Sequence, residues 1–205
     1  MSSAERLVCY PQDMSNLQNL ISNLISGNDE AAEAAAGEIA AFGADSLPAL
    51  RELLSSENAD HRWWATRTLA LISEPQSSAL LLESLRDLEL EVRQCAALAL
   101  KEQPTPEAIP ALIATLGDQD QLLSRLAADA LIAVGTESVP SLIEILKNGK
   151  QPAQGAAARV LAIIADTSAI PVMFDVWEGG SSIVQYWIEE GFRRMGVGMT
   201  FFNPE

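Results

Sequence analysis

From Pro104 to Gly135 the sequence PTPEAIPALIATLGDQDQLLSRLAADALIAVG reads as two amphipathic helices joined by a short polar loop, and the rest of the chain repeats it. Ile109, Leu112, Ile113 and Leu116 fall at i, i+3, i+4 and i+7, one apolar stripe on a first helix. Gly117 ends that helix, and Asp118 to Gln121 form the turn. The second helix presents Leu123, Ala127, Ala130, Leu131 and Val134 on one side and stops at Gly135. Neither stripe can be buried by its own hairpin, so copies must stack.

Two register markers show how many copies there are. Pro110 in the first helix and Ser124 in the second recur as Gln18/Ala32, Pro48/Arg62, Ala79/Arg93, Pro140/Gln154 and Pro171/Gln185. Successive units are offset by 30, 31, 31, 30 and 31 residues, and the two markers stay fourteen apart. The pattern therefore predicts six helical hairpins over residues 16–196 and an all-α fold, a right-handed α-α superhelix. Residues 1–15 are expected to be an N-terminal cap or a flexible segment. Residues 197–205, with Val197, Met199, Phe201 and Phe202, are expected to fold back over the last repeat; the alternative is an apolar hook for a partner.

Side-chain types follow the register. First-helix slots expected to face inward are Leu17/Leu20/Ile21/Leu24, Leu47/Leu50/Leu54, Leu81/Leu82/Leu85, Val139/Leu142/Ile143/Leu146 and Ile170/Met173/Phe174/Trp177. Three residues past the second marker the chain is small (Ala35, Ala65, Ala96, Ala127, Ala157) until Ile188, which lets neighbouring helices approach closely. Seven past it lie Ile39, Leu69, Leu100, Leu131, Leu161 and Phe192. Eleven past it come the stop signals Gly43, Ser73, Pro104, Gly135, Ala165 and Gly196. Pro48, Pro110, Pro140 and Pro171 suit the opening turn of a first helix, and Asp45, Thr105, Thr136 and Asp166 are candidate cap residues before it.

The cadence Glu91-Val92-Arg93-Gln94-Cys95-Ala96-Ala97-Leu98-Ala99-Leu100, echoed by Asp60, His61, Arg62, Ala65 and Leu69, resembles HEAT-like repeats of the short kind found in cyanobacterial bilin lyase subunits. The resemblance covers about residues 16 to 196. It implies the solenoid fold and, more loosely, a protein-binding function; it also raises the alternative of a bilin lyase-type or chromophore-removing protein acting on a phycobiliprotein. In that alternative Trp63, Tyr186 and Trp187 would contact a tetrapyrrole and arginines would take its propionates. No catalytic motif of those lyases can be matched residue by residue.

Several function classes are disfavoured. His61 is the single histidine, so a Ser-His-Asp triad, a zinc-type His/Cys cluster or the His-Glu iron sites of deoxyhypusine hydroxylase, another protein of HEAT-like repeats, cannot be assembled. The 28 acidic against 13 basic residues, a formal charge of −15, argue against nucleic acid. Gly179-Gly180 precedes Ser-Ser rather than Lys and reads as a loop. No apolar run approaches the ~20 residues of a membrane span. Cys9 and Cys95 are too few for a disulfide framework and are expected to be free thiols, Cys95 in a packing position. The expected setting is a cytoplasmic, acidic, monomeric protein with no cofactor, no metal and no catalytic residue.

The informative positions lie one and five residues past the second marker, which the fold should turn toward the concave side. They read Glu33, Trp63, Gln94, Arg125, Gly155, Tyr186 and Gly37, Arg67, Leu98, Asp129, Arg159, Glu190. Eight of the 13 basic residues fall on second helices, and aromatic and Arg side chains are the types enriched at interface hot spots. The expected partner-binding residues are Trp63, Arg67, Leu98, Arg125, Asp129, Arg159, Tyr186 and Glu190, and the expected partner is a protein of unnamed class, a tetrapyrrole-bearing one being the alternative. Trp63 and Arg67, one turn apart, could stack. Trp64 is expected in the core and Trp63 in solvent. Arg62 and Arg93, each two residues after an acid (Asp60, Glu91), are expected to form an ion-pair ladder between repeats.

Overall fold

The computed structural model describes residues 11–197. The expectations for Cys9, for 1–10 and for 198–205 lie outside these residues. Twelve α-helices follow one another with no strand among the described residues. They are α1 (Pro11–Leu24), α2 (Asp29–Ala40), α3 (Leu47–Leu54), α4 (Ala59–Leu69), α5 (Pro75–Ser84), α6 (Leu90–Glu102), α7 (Ile109–Thr115), α8 (Gln121–Val134), α9 (Val139–Asn148), α10 (Gln151–Ile164), α11 (Ile170–Trp177) and α12 (Ser182–Arg194). Taken in pairs they are the six hairpins of the repeat pattern, an all-α solenoid, with α1 starting ahead of the point where that pattern begins.

The chain divides into two compact units, Met1–Ala96 and Ala97–Glu205, with the boundary inside α6. In the first unit α1 packs on α2 and α3 on α4, while α4 lies against α2 and α5 against α3. In the second unit the hairpins are α7/α8, α9/α10 and α11/α12; α10 is flanked by α8 and α12, and α9 by α7 and α11. Second helices thus stack on second helices and first on first. The small slot makes this possible: Ala35, Ala65, Ala96, Ala127 and Ala157 are all buried, as are Ile39, Leu69, Leu100, Leu131 and Leu161 one turn on.

The second marker ties each hairpin together. The last carbonyls of a helix lack intrahelical donors, and the marker side chain supplies one across the hairpin. Arg62 Nη1 donates to the carbonyls of Ser56 and Glu57 at 3.0 and 3.2 Å, and Arg93 Nη1 to those of Asp87 and Leu88 at 2.9 and 3.0 Å. Ser124 Oγ reaches the Leu116 carbonyl at 2.6 Å. Gln154 Nε2 reaches Leu146, and Gln185 Nε2 reaches Trp177, each at 3.1 Å. Only Ala32, in the first hairpin, has no polar atom to offer.

A second recurrent slot, two residues before the first marker, does not stand out in the sequence. Ser46, Ser77, Ala108, Ser138 and Ala169 are fully buried there. Ser46 Oγ donates to Gly43 O at 2.7 Å, Ser138 Oγ to Gly135 O at 2.6 Å and Ser77 Oγ to Ile72 O at 2.5 Å, closing the turn between repeats. Of the expected cap residues, Asp166 accepts the Ser168 N–H at 2.8 Å. Thr105 bonds instead to the Glu107 carboxylate, and neither Asp45 nor Thr136 caps its 3-10 turn. Working caps lie before second helices, at Asn28, Asn58 and Asp120.

Chain reversal follows the stop signals. Gly43, Gly135 and Gly196 sit at φ 52°, 80° and 74°, and Ala165 takes the same left-handed region at φ 56° without being glycine. Gly135 matters most. The stretch Gln121–Asn148 has 28 residues and a mean hydropathy of 1.4 in its most apolar window, which would suffice to cross a bilayer as one helix. Gly135 breaks it into α8 and α9, and at 1.5 Å per residue neither approaches the ~30 Å of a bilayer core.

Some inward assignments are corrected. In α3 Leu53 is buried and Leu54 half-buried, and in α5 Leu80 is buried and Leu82 half-buried, because these short helices turn toward the neighbouring first helix as well as their partner. In the last repeat Met173 is buried, but Phe174 and Trp177 are exposed. Phe174 stacks there on half-buried Phe192 at 4.4 Å.

Candidate functional site

The faces of the second helices carry the candidate site, and each unit has its own cavity on them. Residues three before, one after and five after the second marker are spaced by four, so they form one stripe along a helix. Across the second unit the stripes read Gln121/Arg125/Asp129 on α8, Gln151/Gly155/Arg159 on α10 and Ser182/Tyr186/Glu190 on α12.

In the second unit these helices enclose a groove of about 550 Å³ with a mainly apolar lining. Arg125, Gly155, Arg159, Ile183 and Trp187 line it, together with Asp118 and Gln121. Arg159 Nη2 holds Asp129 Oδ1 at 2.8 Å, an ion pair between neighbouring second helices. Arg125 is exposed and makes no ion pair or hydrogen bond among the described residues. Tyr186 is exposed and meets Trp187 edge to face at 5.1 Å. The Glu190 carboxylate is held below the usual range by hydrogen bonds from Arg194 and then Arg193, at 2.6 and 2.7 Å.

In the first unit a cavity of about 490 Å³ opens beside Trp63 and Trp64, lined also by Asp29, Glu33, Asp60 and His61. Both tryptophans are half-buried, and their rings meet edge to face at 4.9 Å. The expected division into a core Trp64 and an exposed Trp63 is therefore corrected: each ring covers part of the other. Stacking of Arg67 on Trp63 is corrected too. The Arg67 guanidinium turns to Glu33 Oε1 at 2.5 Å, because a carboxylate on the adjacent second helix attracts it more strongly than a ring face. His61 Nδ1 lies 3.2 Å from Ser56 Oγ.

The Arg slot builds structure rather than a site. Arg62 forms a two-pronged pair with Asp87 of the next repeat, at 2.7 and 2.9 Å, the two side chains only 12% and 11% exposed. Burial pushes the Asp87 carboxyl up, but the Arg62 hydrogen bonds, the Glu89 N–H and the charges of Arg62 and Arg93 outweigh it and leave it below the usual carboxylate range. The ladder thus runs from Arg62 to Asp87, not through Asp60 or Glu91, and Arg93 serves its own hairpin. Cys95 is half-buried, and burial raises its thiol to about 11 despite the nearby charge of Arg67; that is a packing thiol.

Of the expected binding residues, Arg125 and Arg159 share the second unit's groove, with Asp129 bound to Arg159. Tyr186 stands beside it through Trp187. Trp63 lines the first unit's cavity, with Arg67 tied to that cavity's Glu33. Leu98 is exposed on α6 without lining either cavity, and Glu190 is committed to two arginines. Asp29, Gln121 and Gln151 were missed. The signal was available one turn upstream of the positions read, at the same helical spacing.

Three overlapping matches to the family of HEAT repeats cover residues 17–101, 80–153 and 109–193. The chain belongs to the HEAT repeat family. Solved HEAT and armadillo structures agree with it in fold. An engineered protein is 25% identical over 89% of this chain and 97% of its own, with a TM-score of 0.51. The complex of CpcE and CpcF of phycocyanin lyase from Nostoc sp. PCC7120 gives 20% identity over 95% and 82%, with a TM-score of 0.52. A designed armadillo repeat protein in complex with the peptide (KR)4 gives 16% identity over 87% and 99%, with a TM-score of 0.50. No curated protein matches the sequence.

Proposed function

We propose that this HEAT-repeat protein is a non-enzymatic scaffold that binds another protein along the face of its second helices, the side that the repeat pattern makes concave. The observation that carries the proposal is Arg125: a guanidinium lining a mainly apolar groove, without an ion pair or hydrogen bond among the described residues, in a chain of net charge −15. Most other described arginines of the second helices are tied to a carboxylate or to loop carbonyls. An Arg and aromatic groups on a surface preformed by stacking lose little entropy on binding. Trp63, Arg67, Leu98, Asp129, Arg159, Tyr186 and Glu190 complete the proposed surface. A structural neighbour, the designed armadillo protein, is seen holding a peptide.

The test is affinity capture by the full chain followed by cross-linking mass spectrometry. Arg125→Glu with Arg159→Glu should abolish capture of the cross-linked partner while circular dichroism stays native. Reversal of Arg51, Glu83 and Glu144 on first helices should leave capture intact, since the exposed Arg51–Glu83 pair at 3.3 Å contributes little. The opposite pattern would move the site to the first helices.

A second reading is a bilin lyase-type or chromophore-removing protein. Trp187 beside Arg125 and Arg159 in one groove favours it, as ring and propionate contacts. Trp63, the other ring of that reading, lies in the first unit's cavity instead. Free bilin added to the protein should then acquire induced visible circular dichroism, lost in Arg125→Glu; an unchanged spectrum excludes this reading.

A further inference from the structure

The second unit's groove has a chemistry that narrows the partner, and this step rests on the scaffold reading above. Its floor is made of small residues. Ala128, Gly155 and Ala156 line it, while Ile183 and Trp187 from α12 rise on one side. Gly155 is buried in the interior of α10, where glycine is a weaker helix former than any residue but proline. Its role is steric: a Cβ there would lie 3.2 Å from Ile183 Cγ2, so its absence lets Ile183 settle over α10. Ile183 is nevertheless 51% exposed, an apolar side chain facing the open groove.

Charge is arranged asymmetrically. Arg159 is neutralised by Asp129, while Asp118, which also lines the groove, accepts the Asp120 N–H at 2.8 Å and keeps its negative charge. Arg125, on α8, keeps its full set of donors. A ligand therefore meets an apolar surface on the α12 side and, on the α8 side, a guanidinium that makes no ion pair among the described residues. The first unit's cavity has the opposite sign, with Asp29, Glu33 and Asp60 around the tryptophans, and would repel what this groove attracts.

We infer that the groove across α8, α10 and α12 takes an extended peptide segment whose Asp or Glu side chain pairs with Arg125 while a neighbouring aromatic or branched aliphatic side chain lies on Ile183 and Trp187. A planar guanidinium fits a carboxylate through two parallel hydrogen bonds, and the apolar wall supplies the rest of the affinity.

The test selects phage from a random peptide library on the full chain, then measures fluorescein-labelled copies of the enriched peptides by anisotropy. Enriched peptides should carry Asp or Glu within a few residues of a bulky apolar side chain. Arg125→Glu should weaken their binding by about tenfold or more, the scale of one charge-assisted contact. Ile183→Ser, a change at a half-exposed side chain, should weaken it too, with the helical circular dichroism unchanged. Absence of enrichment overturns the inference, as do acidic peptides indifferent to both substitutions. Lysine- or arginine-rich peptides that lose binding in Trp63→Ala would also overturn it and place peptide capture in the first unit, leaving the scaffold reading standing. Acidic peptides that obey these substitutions, with partner capture indifferent to the Arg125 and Arg159 reversals, would instead sustain this inference and sink the broader one.

Discussion

At the level of single residues, the arginines of the second helices divide among the described residues into those that build the fold and Arg125, which makes no ion pair. Arg62 and Asp87 bury a charge pair between repeats while Arg62 also satisfies two loop carbonyls. Removing one partner strands the other's charge, so Asp87→Ala should destabilise by about 3 kcal/mol, measured by urea unfolding. Arg62→Met with Asp87→Leu should cost less than the sum of the two single changes, since it leaves no orphan. The pH dependence has a definite sign. Asp87 titrates below its ordinary value of 3.8 in the folded chain, so its contribution is full above that value and is lost as pH falls through the lower, folded one. Asp87→Asn should flatten that acid limb. Cys95 works at the other end: folding raises its thiol from 9.0 to about 11, so stability is unaffected below 9 and declines as pH rises toward 11. At neutral pH the native thiol should resist iodoacetamide and react only after urea is added. Rapid native alkylation would refute the raised thiol of half-buried Cys95.

At the level of the hairpin, the repeat was legible because its constraints are local and periodic. A helix that must approach its copy closely needs Ala at Ala127, and one turn later needs bulk at Leu131; both are fully buried. Leu131→Ala should cost roughly 2–5 kcal/mol by leaving a cavity, and Ala127→Leu about 1–3 kcal/mol by overpacking; an unchanged melting temperature in the latter would contradict the stacking of α8. Ala165 offers a prediction of opposite sign. Its φ of 56° is a glycine conformation, and relief of about 1–2 kcal/mol of strain exceeds the entropy glycine brings, about 0.4–1 kcal/mol, so Ala165→Gly should raise the melting temperature. What the pattern did not give was side-chain choice among equals. Arg67 could stack on Trp63 or pair with Glu33, and only the placement of α2 against α4 decides it. The buried Ser46, Ser77 and Ser138 went unread for a related reason: a small polar residue before a helix looks like a cap until the turn around it is seen to be closed. The groove was half legible, since Arg125 and Arg159 were named from their slot, whereas Gly155 gains meaning only beside Ile183.

Across the whole molecule, charge of one sign prevails. The chain has 28 acidic and 13 basic residues, and the close ion pairs of the described residues use basic groups that are in short supply, two of them on Glu190 alone. Most carboxylates are therefore exposed without a cation nearby, and their mutual repulsion acts against the compact state more than against the expanded one. Added salt screens such repulsion over about 8–10 Å at physiological strength, whereas the nearly buried Arg62–Asp87 pair is screened much less. The expected balance favours salt. The midpoint of thermal unfolding should rise by a few degrees when NaCl is increased from about 0.01 to about 0.15 M, and by a similar amount for Asp87→Ala, because the pair that variant loses is barely screened in the unaltered chain. Partner binding through Arg125 should move the other way and weaken over the same range. Opposite salt responses of folding and binding in one protein would tie both to the same excess of acid, with Arg125 as the exception to it; a midpoint that falls with salt would show that attractive pairs, not repulsion, set the stability of this chain.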